Sequence, residues 1–273
     1  MSGSYWEQVR ATGLLVPADR PLGDLTAELT RMLGDPDPDV RDGLAYPTLA
    51  TWISRGVYDD LLTGLGDGMA AGLRVGLGES GTDTVFRRSF SALVLAECIA
   101  RDNDRPLVPG GKVLEWGDRI ATWLLRERDL RAFVPKRGWA HAVAHGADAL
   151  ATLAASPHVA TPELTVILDV VADRVLTPTS TPYAHGEADR LARAVLAVLQ
   201  REKVPLTVLE PWVARVGAPT TSPSPDAGNA EAFLRALYLQ LALGPRPPAV
   251  RADLLLVLVD VLRQRNADFL ARA

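Results

Sequence analysis

Helical periodicity is the feature that most restricts the fold of this chain. Apolar residues recur at the spacing of one helix face, as at Leu25, Leu29 and Met32, and clusters of Pro, Gly, Asp and Ser separate these segments. No segment alternates apolar and polar residues between the Asn-Gly or Asp-Gly turns that mark β-hairpins. The sequence therefore predicts an all-α fold.

The helical segments group into pairs of similar length. Val85 follows Val40 by 45 residues in a similar context, and helix pairs near this length are typical of HEAT and armadillo repeats. We expect a single α-solenoid domain, residues 1–273, of about five to six helix pairs. The predicted pairs are 24–56, 57–102, 110–156, 161–202 and 204–244, the last of them joined through a loop at 218–227, and a capping helix follows at 248–266.

The linker PDPDVRDGLA (36–45) resembles the linker of a HEAT repeat. In such repeats the aspartate and the arginine, here Asp39 and Arg41, brace neighbouring units. Pro38 is tolerated in a first helical turn. Pro47 should distort the following helix, because it removes one backbone hydrogen bond and leaves the Gly43 carbonyl free. That distortion either shapes a pocket wall beside Tyr46 or is simply a tolerated kink.

Composition excludes several functional classes. The net charge of −4 argues against broad nucleic-acid binding and leaves a HEAT-like DNA glycosylase as a remote alternative. Cys98 is the only cysteine, so intrachain disulfides and thiolate-rich zinc sites are excluded. The N-terminus lacks an apolar signal core, and the apolar run at 254–262 is too short to span a bilayer. We expect a cytoplasmic protein with no membrane contact.

Two of the four histidines lie in GWAHAVAHGAD (138–148). On a helix, His141, His145 and Asp148 fall within about 60° of one another. Trp139, Val143 and Leu150 form an opposite apolar stripe that should pack against neighbouring helices. The histidines are therefore expected to face away from the core.

The second helices of stacked pairs line the concave side of a solenoid, so their polar residues should share one groove. The leading hypothesis is a groove that binds a small molecule or a peptide. Within it, Arg87, Arg88 and Ser91 form either an anion cradle or braces between repeats. The predicted groove residues are Arg41, Tyr46, Arg87, Arg88, His141, His145, Asp148, Glu187 and Arg190.

An enzyme is the alternative hypothesis, either a metal-dependent hydrolase or a histidine acid–base catalyst. His141, His145 and Asp148 could ligate a divalent metal, although a cofactor is otherwise unknown. The His-Glu-x-x-His pattern of metalloproteases is absent, because Ala142 follows the first histidine. An ordinary polar stripe explains the same residues. The sequence leaves the choice open, and it leaves the oligomeric state open as well.

Four segments carry a family resemblance: RDGLAYPTLATWI (41–53), RRSFSALVLA (87–96), RGWAHAVAHGADAL (137–150) and GEADRLA (186–192). They resemble a bacterial domain-of-unknown-function family, number 2785 (DUF2785). The resemblance covers about residues 35–200 and implies an all-helical, HEAT-like protein without implying a particular reaction. It also marks residues 137–150 as a feature of the family.

Overall fold

The computed structural model describes residues 2–218 and 226–270 of the chain. The prediction of an all-α protein is confirmed, and one two-stranded hairpin is the exception among the described residues. Most of the predicted loop at 218–227 lies outside the described residues. Contacts between residues divide the chain into two compact units, a first unit (1–146) and a second unit (147–273). The single α-solenoid domain expected from the sequence stays a prediction.

The first unit begins with a helix that the periodicity did not predict, α1 (Ser2–Ala11). Helix α2 (Leu22–Met32) follows, and Leu25 and Leu29 on its predicted apolar face are fully buried. Residue Trp6 of α1 is also buried, and its indole N–H donates to Glu28 Oε1 at 2.8 Å. The contact fastens the N-terminal helix to the periodic part of the unit.

The Asp-Pro linker starts a helix as predicted. Helix α3 (Pro38–Val40) has Pro38 in its first turn, and the Asp37 side chain accepts a hydrogen bond from the Asp39 N–H at 2.9 Å. A π-helical turn (Arg41–Ala45) leads into α4 (Tyr46–Ser54). The distortion predicted at Pro47 thus takes the form of a wide turn, in which the Tyr46 N–H donates to the Arg41 carbonyl.

The next three helices of the first unit are α5 (Leu62–Gly72), α6 (Thr84–Asp104) and α7 (Gly110–Arg126). A 3₁₀ turn (Asp59–Leu61) precedes α5, and α5 packs on both α6 and α7. Gly66 on α5 lies against the Trp116 ring of α7, where a larger side chain would overlap the indole.

The segment predicted as the start of a helix at residue 137 is a hairpin instead. Strand β1 (Phe133–Val134) pairs antiparallel with β2 (Gly138–Trp139). Helix α8 (Ala142–Ala154) begins only after the hairpin, and the division between the two units falls within α8. Lys136 and Gly138 both have positive φ, at 65° and 75°, because the chain reverses direction between the strands.

The second unit continues with helices close to the predicted ranges. They are α9 (Thr161–Leu176), α10 (Glu187–Leu199), α11 (Leu206–Gly217), α12 (Asp226–Leu243), α13 (Arg251–Arg265) and α14 (Ala267–Leu270). Helices α10 and α11 both pack on α9, α12 packs on α10, and α13 packs on α11 and α12. The predicted capping helix at 248–266 corresponds to α13. Within the described ranges, none of the helices has the length and hydrophobicity needed to cross a membrane.

Candidate functional site

The hairpin and the start of α8 bring the predicted histidines next to two aromatic rings. The Ala140 N–H donates to the Ala132 carbonyl at 2.7 Å and closes the base of the hairpin. Arg41 reaches across from the π turn, and its Nη2 donates to the Arg137 carbonyl at 2.7 Å. Arg137 in turn forms an ion pair with Asp83. The position of this segment is therefore fixed by contacts within the first unit.

The predicted orientation of the histidines is wrong. His141 and His145 are 8% and 6% exposed, so both rings are buried, whereas Trp139 is 40% exposed. Two causes explain the reversal. Trp139 lies on β2 rather than on the helix, and α8 is an alanine-rich helix with almost every residue buried, so that it has no open polar face at these positions.

His141 lies just before α8 in an unusual backbone conformation. Its φ is 48°, in the left-handed region that a residue other than glycine rarely adopts. Its ring stacks on Trp139, with centroids 4.4 Å apart and planes inclined at 22°. Its carbonyl accepts the His145 N–H at 2.9 Å and so begins the helix. Residues with a strained backbone concentrate at functional sites, so His141 is a candidate functional residue.

His145 is held in one tautomer by a serine that sequence reasoning missed. Ser89 Oγ lies within hydrogen-bonding distance of the Ala140 carbonyl oxygen and 2.6 Å from His145 Nδ1. A carbonyl oxygen can only accept, so the single hydroxyl proton of Ser89 goes to Ala140. Nδ1 of His145 must then carry a proton and donate it to Ser89, which makes Nε2 an acceptor in the neutral ring.

A signal for Ser89 was present in the sequence. Ser89 follows Phe86 by three residues and precedes Phe90, so it lies on the apolar stripe of α6. A hydroxyl on such a stripe needs a buried partner. The Phe90 ring meets the His145 ring edge to face at 5.1 Å, on the same stripe.

The exposed part of the site is aromatic. Phe133 is 49% exposed, and its ring meets Trp139 edge to face with centroids 5.0 Å apart. We call Phe133, Trp139 and His141 the aromatic surface. Its two exposed rings lie on paired strands of the hairpin, directly opposite one another. Sequence reasoning missed Phe133 because its segment was not predicted to form a strand.

Arg41 and Tyr46 lie behind this surface, among buried groups. The Arg41 guanidinium is fully buried and lies 4.0 Å from the centre of the Phe86 ring. It donates to Asp42 Oδ2 at 2.8 Å, and burial lowers the pKa of Arg41 while it raises the pKa of Asp42. Tyr46 donates its hydroxyl proton to Glu97 Oε1 at 2.9 Å. These contacts give Arg41 a bracing role.

The neighbouring arginines of α6 differ from each other. Arg88 is fully buried and forms a two-point ion pair with Glu127, at 2.6 Å from Nε and 2.9 Å from Nη2. Its Nη1 donates to the carbonyls of Val75 and Gly76, both at 2.9 Å. Arg87 is half-buried and has no ion pair with any residue that the structure describes. The structure thus assigns Arg88 to bracing and gives Arg87 no comparable partner among the described residues.

The other three predicted groove residues belong to the second unit. Asp148 Oδ2 accepts from Arg190 Nη1 at 2.6 Å. Burial raises the pKa of Asp148, and the charges of Arg190 and Arg193 oppose this shift. Glu187 is buried, and its Oε2 accepts the His185 backbone N–H at 2.8 Å. Asp148 and Arg190 are therefore partners of each other.

The described residues do not supply the ligands that the metal hypothesis requires. Across residues 2–218 and 226–270, no group of three or more His, Cys, Asp or Glu side chains could hold a metal ion. The His141 and His145 rings meet edge to face at 5.9 Å, which brings together two imidazoles. Two ligands alone do not form a closed coordination shell.

Comparison with known proteins bears on residues 73–239. This range matches the family model described as "Protein of unknown function (DUF2785)". The chain belongs to the DUF2785 family. The matched range contains α6, the hairpin, both histidines and most of α12, whereas the segment at 41–53 lies outside it. The match also extends past residue 205, beyond the last motif in which the resemblance was seen. No curated protein and no solved structure matches this DUF2785 chain.

Proposed function

We propose that this DUF2785 chain is a binding protein that takes a small molecule or a peptide on the aromatic surface of its first unit. The observation that carries the proposal is the exposure of Trp139 and Phe133 beside a buried histidine pair. Exposed aromatic side chains in contact with one another are typical of binding surfaces, because they bury a large area at a small cost in conformational entropy. The site proposed here is narrower than the groove predicted from the sequence.

The rigidity of the hairpin supports this proposal. Arg41 donates to the Arg137 carbonyl in the turn before β2 and, at 3.4 Å, to the Trp139 carbonyl within β2. The His141 ring supports one face of the Trp139 indole. A surface that is already ordered pays less entropy when a ligand binds.

The chemistry of the surface favours a planar or cationic group. The exposed aromatic faces attract both kinds of group. The Asp42 carboxylate is one-third exposed, and its Oδ2 lies 3.4 Å from the position that a Cβ on Gly138 would occupy. It could accept hydrogen bonds from a donor group of the ligand. We therefore propose a small molecule with a planar ring, or an aromatic side chain of a peptide.

A HEAT-like arrangement of the helices remains part of the proposal. Support comes from within each unit, where helices two positions apart pack on one another, as α5 does on α7 and α11 does on α13. The buried Arg88–Glu127 pair, which joins α6 to the end of α7, also suits a braced repeat. A cytoplasmic location, predicted from the sequence, belongs to the same proposal.

An acid–base role for His145 is the alternative function. The Ser89 contact favours it, because a fixed proton on Nδ1 leaves the lone pair on Nε2. The reaction would need His145 to reach a substrate from a ring that is 6% exposed. Binding on Trp139 needs no such movement, so we prefer the binding function.

Native mass spectrometry of protein purified from its own host tests the binding function. The wild type should retain a small molecule or peptide, and Trp139→Ala should lose it. Tyr238→Ala is the matched control, since Tyr238 is an aromatic residue of similar exposure, 37%, in the second unit. Retention of the same molecule by Trp139→Ala, or its loss from Tyr238→Ala, would contradict the assignment to the aromatic surface.

A further inference from the structure

Arg87 is a cation without a counter-ion among the residues that the structure describes. It lies on α6 next to Arg88, which has a complete set of protein acceptors. No carboxylate is paired with Arg87 within the described part of the chain, and burial alone lowers its pKa. A partly desolvated guanidinium with no anionic partner is unfavourable, so the site would gain from an anion supplied from outside.

A second polar group next to Arg87, the Ser91 hydroxyl, also lacks a hydrogen-bond partner in the described part of the chain. Ser91 is fully buried one helical turn further along α6, and its Oγ has no hydrogen-bond partner among the described residues. Buried hydroxyl groups are nearly always hydrogen-bonded, so this one calls for an explanation. The Ser91 hydroxyl needs a hydrogen-bond partner whether or not the charge of Arg87 is paired.

Gly72, the last residue of α5, brings the two polar groups together. A Cβ at Gly72 would overlap Ser91 Oγ and lie 3.1 Å from Arg87 Nε, so both atoms face the same point of α5. On the other side, a Cβ at Gly34 would lie 3.1 Å from Arg87 Cβ. The ends of α2 and α5 thus meet α6 at a corner where two glycines allow close approach.

Two further arginines add positive charge to this corner. Arg31 lies in the last turn of α2, and Arg74 follows α5 by two residues. Both are exposed, and neither is ion-paired with a residue that the structure describes. They would attract an anion towards Arg87.

We propose that Arg87 and Ser91 form a binding site for an oxyanion, the phosphate or carboxylate group of a small molecule. The guanidinium fork of Arg87 would donate to two oxygens of the anion, and the Ser91 hydroxyl would donate to one of them. This site is separate from the aromatic surface and does not depend on the proposed function.

A structural role for Arg87 is the competing explanation. The ends of α2 and α5 carry the partial negative charge of helix C-termini, which a nearby arginine would neutralise. That role requires no anion and predicts no anion binding. The two explanations differ in what added phosphate does.

Isothermal titration calorimetry of the full chain separates them. Inorganic phosphate and acetate are titrated in turn, with the ionic strength kept constant by sodium chloride. Binding of phosphate, of acetate or of both supports the site and identifies which oxyanion it prefers. Absence of binding by either anion, beyond the effect of chloride, overturns the proposal.

Variants locate any binding that is found. Arg87→Gln should weaken it by about tenfold or more, since it removes a charge-assisted pair of hydrogen bonds. Ser91→Ala should weaken it by about threefold to tenfold, through the loss of one hydrogen bond. Arg126→Gln is the matched control, because Arg126 is an exposed arginine at the end of α7 with no ion pair in the described structure. Equal losses in Arg87→Gln and Arg126→Gln would show non-specific attraction and overturn the site.

Nitrogen NMR on the wild type covers the case in which Arg87→Gln does not fold. The Arg87 Nε–H resonance should shift when phosphate is added, and an unchanged resonance would overturn the proposal. Trp139→Ala should bind phosphate as the wild type does. The test of the Arg87–Ser91 site is then independent of the test of the aromatic surface.

Discussion

Replacing Arg88 with methionine should lower the free energy of unfolding of the first unit by about 3–5 kcal/mol, because it leaves a buried carboxylate without its cation. The side chains of Arg88 and Glu127 are both fully buried and joined at two points. Glu127 would keep uncharged donors such as the Trp123 indole N–H, which lies 2.9 Å from its Oε2. The carbonyls of Val75 and Gly76 would each lose a donor as well.

Two variants control for this prediction. Arg87→Met changes the adjacent residue, which is half-buried and has no ion pair with a described residue, so it should cost less than about 1 kcal/mol. The double variant Arg88→Met with Glu127→Leu removes both charges, and it should recover most of the loss, because an apolar pair of similar volume needs no counter-charge.

Urea denaturation, followed by tryptophan fluorescence and far-ultraviolet circular dichroism, measures these differences. Trp123 lies next to the pair and reports directly on the first unit. A loss below about 1 kcal/mol in Arg88→Met would refute the bracing role. So would a double variant that is no more stable than Arg88→Met, and Arg88 would then return to the set of candidate ligand-binding residues.

Two further predictions concern the polar groups behind the aromatic surface. Ser89→Ala should cost about 1–3 kcal/mol, because the Ala140 carbonyl and His145 Nδ1 lose their shared partner; a loss within error in urea denaturation would contradict the bridging role of Ser89. Burial raises the pKa of Asp42 above its usual 3.8, so the folded state holds this proton more tightly than the unfolded chain does. Stability should therefore fall as pH rises from that value through the raised pKa, and Asp42→Asn should remove this part of the fall. Carbon NMR titration of the carboxyl group checks the shift, and a pKa at or below the usual value would contradict it.

The helices could be predicted from the sequence because periodic apolar residues define them locally. Leu25 and Leu29 are an example, since their spacing alone identifies the buried face of α2. The start of α3 at Asp37 and Pro38 could also be predicted, because helix capping involves only residues close in sequence. The family resemblance rested on the same kind of local pattern.

The orientation of the histidines could not be predicted in the same way. The prediction assumed that a helix has one buried face, and α8 is buried on nearly all sides because its alanines allow close packing. The hairpin was missed although Pro135 and Gly138 interrupt the segment within a few residues. Pairs such as Arg88 with Glu127 join distant parts of the chain, and no local pattern identifies them.

Only the contacts in the structure, and not the sequence context, distinguish the bracing residues of the predicted groove from those that could bind a ligand. Arg41 and Arg88 are fully buried braces, while Arg87, on the same helix as Arg88, keeps its charge unpaired within the described structure. Trp139, which the sequence placed in the core, is far more exposed than either histidine.

Fluorine NMR of protein labelled with fluorotryptophan tests the aromatic surface most directly. The chain has six tryptophans, and Trp139 is the exposed one, while Trp6, Trp52, Trp116, Trp123 and Trp212 are buried. Fractionated small-molecule extract of the host is added, and the Trp139 resonance is assigned with Trp139→Phe. The account predicts that one fraction shifts the Trp139 resonance and leaves the buried tryptophans unchanged. A Trp139 resonance that no fraction moves, while a buried tryptophan responds, would contradict it.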